Sequence, residues 1–379
     1  MTTFRRQVPT TTLTSTLCRP LLRSRKAYLP WCIFFMLYAF LTRRLFGHVY
    51  IMHSPSAHPT PSCPGVFLLG MHRSSTSVLS GLLVQGFGYE VGGPSLPPAE
   101  DNPKGFFERS DVVDMNNAFL NTQGMTWDNH DKIGGYNLSL TNSHLSSGVI
   151  SNATLGDIVN FYNRAGRTVP YLHKDPRTCL TLPVWMEHLS HRPAILFTYR
   201  HPLEVAMSLK KRDNFPLVKG FKLWIIYNVL AVRYSSGYCR VVTSSDAIVH
   251  DTLEEMARIL TDLSKRCHVI PPPNVTLSST IVDAFVDHSL QHNTNGKHQE
   301  EEQLSNATIL QDFGNGCVAP KIKSDHAEGS RDEMKETKVY LMAIKLFCAF
   351  KSGRAFWKNY EMPDLSTLNA PPSGVNKTT

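Results

Sequence analysis

Short apolar runs alternate with amphipathic stretches along the middle of the chain. The runs at 66–69, 171–173, 194–199 and 240–243 have the length and apolar character of buried strands. Helical patterns are predicted over 77–87, 179–189, 203–212, 221–234, 246–264 and 339–360, with a further helix capped by Ser110-Asp111. Strands that alternate with helices predict an α/β protein, with a central parallel sheet between two layers of helices.

The first of these runs continues through Gly70 into a loop that is basic and rich in hydroxyl groups. Met71-His72-Arg73-Ser74-Ser75-Thr76-Ser77 then leads into a helical pattern. The first N–H groups of a helix lack intrahelical partners and the helix dipole is positive there, so this loop predicts a cradle for a phosphate-like or sulfate-like group. It is not a Walker A motif, because Met71 and His72 stand where that motif has Lys and Ser or Thr. A nucleoside-triphosphate hydrolase is therefore disfavoured.

A second run repeats this arrangement. The strand at 194–199 ends at Arg200, and a helix is predicted to open just past Pro202, a residue that suits a first helical turn. Ser208 follows Arg200 by eight positions, so strand end and helix could hold one anion together.

The two segments, in this order and separation, resemble the sulfotransferases that use 3′-phosphoadenosine-5′-phosphosulfate (PAPS). In that family the first loop holds the 5′-phosphosulfate, and an Arg followed eight residues later by Ser holds the 3′-phosphate. Segments 101–108 and 173–177 resemble connecting motifs of the branch with Arg in the first loop, and the resemblance extends from about residue 66 to about residue 243. It implies a P-loop-like α/β/α fold, PAPS as co-substrate without a metal, and cofactor contacts from Arg73, Ser74, Ser75, Thr76, Ser77, Arg200 and Ser208.

Basic residues of these segments have expected roles. Arg73 matches the family's basic residue at the leaving oxygen, where its planar fork can bridge two oxygens. Lys174 could reach the sulfuryl oxygens, whereas Asp175 and Arg177 are expected to pair with each other or cap the next helix. His72 is expected to line the loop.

The acceptor hydroxyl must lose a proton, which requires a carboxylate or a histidine within hydrogen-bond reach. Glu108 is the predicted base, because it matches the Glu of the branch's motif and follows Phe106-Phe107, an apolar setting that can raise a carboxyl pKa. A solvated helix-capping role for Glu108 stays open, and Asp101, His173 and Asp175 are the rival bases.

The net charge of +8 comes largely from the N-terminus. Eight of the 39 basic residues lie before residue 45, and the remaining 31 balance the 31 acidic residues. No basic stripe with interleaved aromatic residues occurs, so the sequence gives little support to a nucleic-acid function.

An uncharged, almost wholly apolar stretch at 27–41 has basic residues on both sides. It is shorter than the roughly 20 residues of an ordinary span, but the excess of basic residues before it favours a signal anchor with a cytosolic N-terminus. We expect a cytosolic tail at 1–26, a transmembrane helix at 27–47 and a Pro-rich stem at 48–64. A sulfotransferase domain at 65–360, with a polar insertion at 289–338, and a tail at 361–379 complete the predicted organisation.

The sequence after the predicted anchor is consistent with a domain in the lumen of the secretory pathway. Asn-x-Ser/Thr sequons occur at Asn137, Asn152, Asn274, Asn306 and Asn376, and cysteines occur at Cys63, Cys179, Cys239, Cys267, Cys317 and Cys348. Disulfides and buried free thiols are both compatible with this set. We expect a type II Golgi membrane protein, with a plastid or mitochondrial location as the alternative because the first 26 residues are rich in Thr, Ser and Arg.

The predicted activity is transfer of a sulfuryl group to a hydroxyl of a luminal acceptor, in particular a carbohydrate. The polar segment 121–154 is expected near the acceptor entrance. A luminal glycosyltransferase is one alternative, although no Asp-x-Asp occurs in the sequence. A non-catalytic binding protein on the same fold is another. It is prompted by Ser75, since the family usually has Gly there and a positive φ would strain a serine.

Overall fold

Parallel strands form the centre of the fold, as the apolar runs predict. The computed structural model describes residues 63–100, 102–129, 152–274, 276–286, 317 and 331–368. The strands are β1 (Gly65–Leu69), β2 (Tyr171–Lys174), β3 (Ala194–Tyr199) and β4 (Arg240–Ser244). They lie in the order β2-β1-β3-β4, and every neighbouring pair is parallel.

Alternate residues of β1 enter two separate hydrophobic cores. Phe67 and Leu69 belong to one core, and Val66 and Leu68 belong to the other. Because successive side chains of a strand point to opposite faces, the sheet is buried on both sides. The fold class is α/β with helices on both faces of a parallel sheet, in agreement with the prediction of three layers.

The larger core holds apolar side chains from one set of helices. These are α2 (Ser110–Asn121), α3 (Asn152–Tyr162), α4 (Thr178–His188), α5 (Pro202–Asp213), α6 (Leu217–Tyr234) and α10 (Arg331–Lys351). Short 3₁₀ turns at Arg354–Phe356 and Leu365–Leu368 add to the same core.

The smaller core holds side chains from the other set. These elements are α1 (Thr76–Gly81), the π-helical turn Leu82–Gly86 that continues it, α7 (Ser245–His250), α8 (Thr252–Lys265) and α9 (Ser279–Phe285). Helix α8 buries Met256, Ile259 and Leu263 on one face.

Several predicted helix boundaries are wrong. The helix expected over 246–264 is two helices, because Asp251 leaves helical geometry at φ −126° and ψ 45°. The helix expected over 339–360 begins at Arg331, inside the predicted insertion, and ends at Lys351. The helix expected after a Ser110-Asp111 cap already includes Ser110, and Arg109 is its N-cap. Helices α3 and α9 were not predicted.

Cysteines occur in both states that the sequence allowed. Disulfides join Cys239 to Cys267 and Cys317 to Cys348. Cys63 and Cys179 are buried free thiols.

The predicted anchor at 27–47 lies outside the described residues, as do the cytosolic tail and most of the stem. Within the part of the chain that the structure describes, no helix is both long enough and apolar enough to cross a bilayer.

The order of the strands indicates where a ligand would bind. The chain leaves β1 towards β2 on one side and returns to β3 and then β4 on the other. The direction of winding therefore reverses between β1 and β3. In open α/β sheets, ligands bind beyond the carboxyl ends of the strands at such a switch point. The loops after β1 and β3 both lie at that point.

Candidate functional site

The loop after β1 approaches β3 so closely that its first residue must be glycine. A Cβ on Gly70 would lie 2.8 Å from the carbonyl oxygen of Thr198, and 2.8 Å from Cγ2 of Thr76. The amide of Gly70 donates to the sulfur of Cys179 at 3.2 Å. The loop is thus fixed at the end of the sheet, and we call residues 70–77 the cradle loop.

The cradle loop contains two residues in the left-handed region. Arg73 has φ 68° and Ser75 has φ 61°. Because a Cβ is unfavourable in this region, each costs about 1–2 kcal/mol relative to glycine. The strain expected for Ser75 is therefore present. The Ser75 hydroxyl lies 2.6 Å from the Ser245 hydroxyl, at the junction of β4 and α7, and this hydrogen bond holds the strained residue.

The two predicted motifs meet at Arg73. Its Nε donates to Oγ of Ser208 at 2.8 Å. Arg200 reaches the same residue, with Nη1 at 3.4 Å from the Arg73 carbonyl oxygen. Arg200 is also paired with Glu204 one helical turn later, at 2.8 Å. The structure therefore brings Arg73, Arg200 and Ser208 together, although 135 residues separate Arg73 from Ser208.

A buried ion pair lies against the helical end of the cradle loop. Nζ of Lys174, at the end of β2, donates to Glu108 Oε1 at 2.5 Å. It also donates to the Phe106 carbonyl oxygen at 2.9 Å and to the Ser77 hydroxyl at 3.2 Å. The Asn102 amide adds a hydrogen bond to the same Ser77 hydroxyl at 3.1 Å. Lys174 thus connects the predicted base to the predicted cofactor loop.

The buried position of Glu108 affects its ionisation. Its side chain is 7% exposed. Burial raises the pKa of the Glu108 carboxyl above its ordinary value, while the Lys174 ammonium acts in the opposite direction. Within the described residues the hydrogen bond to Glu108 is made to Oε1, and the second oxygen can accept a proton, as a general base requires.

The surroundings of His72 show that the cradle loop is electropositive. Burial lowers the pKa of His72 well below its ordinary value, and four cations lower it further. They are Arg177, Arg212, Lys174 and Arg73. His72 is neutral at pH 7 for this reason, and its buried Nε2 has no hydrogen-bond partner among the described residues. The His72 ring packs against Trp127 and Tyr227, with ring centroids 4.8 and 5.7 Å away.

The hydroxyl groups of the cradle loop have different surroundings. Ser74 is fully buried, and its Oγ has no hydrogen-bond partner within the described ranges. Thr76 is nearly buried and opens α1. Ser77 accepts from Lys174 and Asn102. Unpartnered buried donors are uncommon, and an oxyanion in the loop would be a suitable acceptor for them.

Two of the rival bases are parts of the core. His173 is hydrogen-bonded through Nδ1 to Tyr162 and through Nε2 to Thr178, each at 2.8 Å. Burial lowers the pKa of His173 to about 3, so it stays neutral at physiological pH. With both ring nitrogens engaged, His173 has a structural role.

Asp175 is fully buried and has partners for both oxygens. One oxygen accepts from the Arg177 side chain and backbone, each at 3.0 Å, and the other accepts from Asn116 at 2.7 Å. This confirms the predicted pairing of Asp175 with Arg177. The third rival, Asp101, lies outside the described residues.

Sequence reasoning missed several residues of this region. Ser245 and Asn102 hold the cradle loop through side-chain hydrogen bonds. Glu204 accepts a hydrogen bond from the Arg200 guanidinium. Trp127 packs against His72 with ring centroids 4.8 Å apart, and its carbonyl accepts from Tyr227. Only Glu204 carried a local signal, because it follows Arg200 by four positions on a predicted helix.

Comparison of the chain with family models, with curated proteins and with solved structures gives no match. Within the described residues, no cluster of three or more His, Cys, Asp or Glu side chains could hold a metal ion. A functional proposal therefore rests on the geometry of the residues that follow β1 and β3.

Proposed function

We propose that this protein is a sulfotransferase that moves a sulfuryl group from PAPS to a hydroxyl of a carbohydrate acceptor. The observation that carries the proposal is the meeting of two distant motifs at one strand-end edge, where Arg73 bonds Ser208 and Arg200 reaches Arg73. On this proposal the α/β/α fold is of the P-loop-like kind.

The residues present fit a nucleotide with two separate anionic groups. Gly70 allows close approach of the backbone, and Ser74 and His72 offer buried polar atoms that lack partners among the described residues. Arg73, with Ser74, Ser75, Thr76 and Ser77, would hold the 5′-phosphosulfate. Arg200 and Ser208 would hold the 3′-phosphate. When bound, PAPS supplies an activated sulfuryl group whose transfer breaks its bond to the phosphate oxygen.

The chain's own residues would carry out the rest of the reaction. Glu108 would accept the proton of the acceptor hydroxyl as that oxygen attacks. Lys174 orients Glu108, and its ammonium can also stabilise negative charge on the transferred group. Arg73 offers a fork of N–H donors to the leaving oxygen. The proposed roles need no metal ion.

A membrane anchor at 27–47 and a luminal Golgi location belong to the same proposal. The disulfides Cys239–Cys267 and Cys317–Cys348 support an oxidising compartment. A carbohydrate acceptor is the corresponding choice, since the lumen of the secretory pathway is where glycans are built.

A non-catalytic binding protein is a second candidate, favoured by one observation. Glu108 is already engaged in a short ion pair with Lys174, and buried pairs of this kind also occur as purely structural elements. In that case the cradle loop would bind the nucleotide, and no transfer would follow.

The test uses the purified full chain. Thermal-shift titration with 3′-phosphoadenosine-5′-phosphate is expected to give stabilisation both with and without a chelator. Labelled sulfate should then move from PAPS to at least one member of a glycan panel, and Glu108→Gln should bind the nucleotide without transfer.

Each other outcome of this test is informative. Absence of nucleotide binding would overturn the proposal. Binding that strictly requires a divalent cation would point to a nucleotide-sugar enzyme. Binding without transfer to any acceptor would favour the binding protein.

A further inference from the structure

A shallow groove lies towards the amino ends of the strands, whereas the cradle loop lies at their carboxyl ends. Its lining includes Tyr238, Arg240, Arg258, Arg266 and Phe356, and its volume is about 480 Å³. Arg240 is the first residue of β4, so the groove lies at the amino end of this strand. We call it the arginine groove. Its size is within the range of small-ligand sites.

The three arginines of the groove differ in how their charge is compensated. Arg258 donates to Glu255, to Asp262 and to the Val242 carbonyl oxygen. Arg266 shares Asp262 at 3.3 Å and is 60% exposed. The acidic partners therefore neutralise Arg258 but leave the groove with excess positive charge.

Arg240 carries most of this excess. Its Nη1 donates to two neutral acceptors, the Val232 carbonyl oxygen at 3.1 Å and the Ser235 hydroxyl at 2.8 Å. Among the described residues it has no carboxylate partner. Its guanidinium lies over the Phe356 ring, 5.0 Å from the centroid. The hydrogen bonds that Arg240 makes within the described residues all come from Nη1, so Nε and Nη2 are the donors that it offers to a ligand. Burial lowers the pKa of Arg240, which reflects the cost of a charge without a counter-ion.

Aromatic rings frame the same donors. Phe356 is half-buried below Arg240, and Tyr238 lies at the groove with Arg192 over its ring at 4.8 Å. Ring faces beside forked N–H donors suit a ligand with flat apolar patches and oxyanions, such as a sugar ring that carries sulfate esters. The Cys239–Cys267 disulfide contributes Cys239 to the lining. It supports an oxidising compartment, where anionic glycans rather than nucleic acids are available.

We propose that the arginine groove is a binding site for a sulfated saccharide, with Arg240 and Arg266 as the residues that recognise its sulfate groups. The site lies apart from the cradle loop and does not depend on the chemistry proposed there. It would hold an anionic glycan chain while the carboxyl ends of the strands stay accessible.

The test measures binding of a heparin-derived hexasaccharide to the full chain by isothermal titration at two salt concentrations. We expect binding that weakens with salt, and weaker binding of the same saccharide after chemical desulfation. The double variant Arg240→Gln with Arg266→Glu should lose about tenfold or more in affinity. Saturating 3′-phosphoadenosine-5′-phosphate should leave the affinity for the saccharide unchanged.

Matched variants keep the test decisive. Arg240→Lys retains the charge but loses the forked donors, so it should bind more weakly than the wild type and more tightly than Arg240→Gln. Arg164→Glu changes an exposed arginine that does not line the groove, and it should bind as the wild type does. Wild-type affinity in the double variant would overturn the proposal, as would displacement of the saccharide by the nucleotide.

Two further outcomes would also count against it. Equal binding of the desulfated saccharide would remove the role of the sulfate groups, and tighter binding of a single-stranded oligonucleotide would identify the groove as a nucleic-acid site. If the wild-type chain binds the saccharide but not the nucleotide, the sulfotransferase proposal is wrong and the saccharide proposal stands.

Discussion

The two strand ends that form the cradle are built in different ways. After β1, Arg73 and Ser75 adopt left-handed backbone conformations; the Arg73 side chain donates to Ser208, and the Ser75 hydroxyl is hydrogen-bonded to that of Ser245. After β3, Pro202 opens a regular helix, and Arg200 pairs with Glu204 within its own segment. The first strand end depends on side chains of α5 and α7, whereas the second combines a local ion pair with bonds to Arg73 across the cradle. Substitutions at the first should therefore act through its left-handed backbone, and substitutions at the second should be coupled through Arg73.

The largest expected difference concerns the two carboxylates. Glu108→Gln should keep nucleotide affinity and lower turnover by roughly 10²- to 10⁴-fold, because the amide keeps the shape but cannot accept a proton. Glu204→Gln is the matched control on the second side. It releases Arg200 from a partly buried pair, and it should leave turnover within a few-fold while nucleotide binding becomes slightly tighter. Steady-state kinetics and nucleotide titration of both variants measure this, and equal turnover in the two would remove Glu108 as the base.

The next largest effect is expected on nucleotide affinity, from substitutions of Arg200 and Ser208 after β3. Arg200→Ala is expected to weaken binding of 3′-phosphoadenosine-5′-phosphate by about 1.5–3 kcal/mol, the value of a charge-assisted bond. Ser208→Ala should cost less. The double variant should lose less than the sum, because both residues contact Arg73 as well as the proposed phosphate. Lys211→Ala, an exposed cation on the same helix, is the control and should bind normally. Full additivity would contradict a shared phosphate.

The sequence alone predicts the features that depend on short stretches of chain, which are the strands and most of the helices. Buried parallel strands are short, continuous apolar runs, so all of the strands in the described sheet were found, and their alternation with helices gave the fold class. Helix α3 was missed because Gly156 and several polar residues interrupt its pattern. Helix α9 was missed because Ser279–Phe285 is too short for a helical period. The break at Asp251 had a signal, since Asp251 and Glu254 have the spacing of a capping box.

The candidate site was predictable as a set of residues but not as a set of contacts. Lys174 and Glu108 are 66 positions apart, and Ser75 and Ser245 are 170 apart, so only the fold brings them together. Hydrogen bonds that the sequence does not show engage two of the rival bases, His173 and Asp175. His173 had the right chemistry, but its strand position points it into the core, where Tyr162 and Thr178 bond both ring nitrogens. Periodicity alone could not show which side of β2 faces that core.

The acidity of Glu108 gives the next prediction. On the proposed mechanism turnover needs the carboxylate, and burial raises its pKa, so activity should be lost at a higher pH than an ordinary glutamate would allow. The acidic limb of the kcat profile should therefore have its midpoint above about pH 4.3, the value for an unperturbed glutamate. Below the midpoint, turnover should fall about tenfold per pH unit. A profile that stays flat down to that pH in a folded protein would show that the proton goes elsewhere.

The smallest effect tests the backbone difference between the two strand ends directly. Ser75 is left-handed, so Ser75→Gly relieves strain that Ser75→Ala retains, and both lose the bond to Ser245. The glycine variant should therefore be more stable to urea unfolding than the alanine variant by about 1 kcal/mol. At Ser208, inside the regular helix α5, the order should reverse, since glycine costs about 1 kcal/mol relative to alanine in a helix. Comparing glycine with alanine at each position cancels the loss of the hydroxyl. Greater stability of the alanine variant at both positions would mean that Ser75 does not hold the left-handed conformation in solution, which would leave Arg73 as the strained residue of the first strand end.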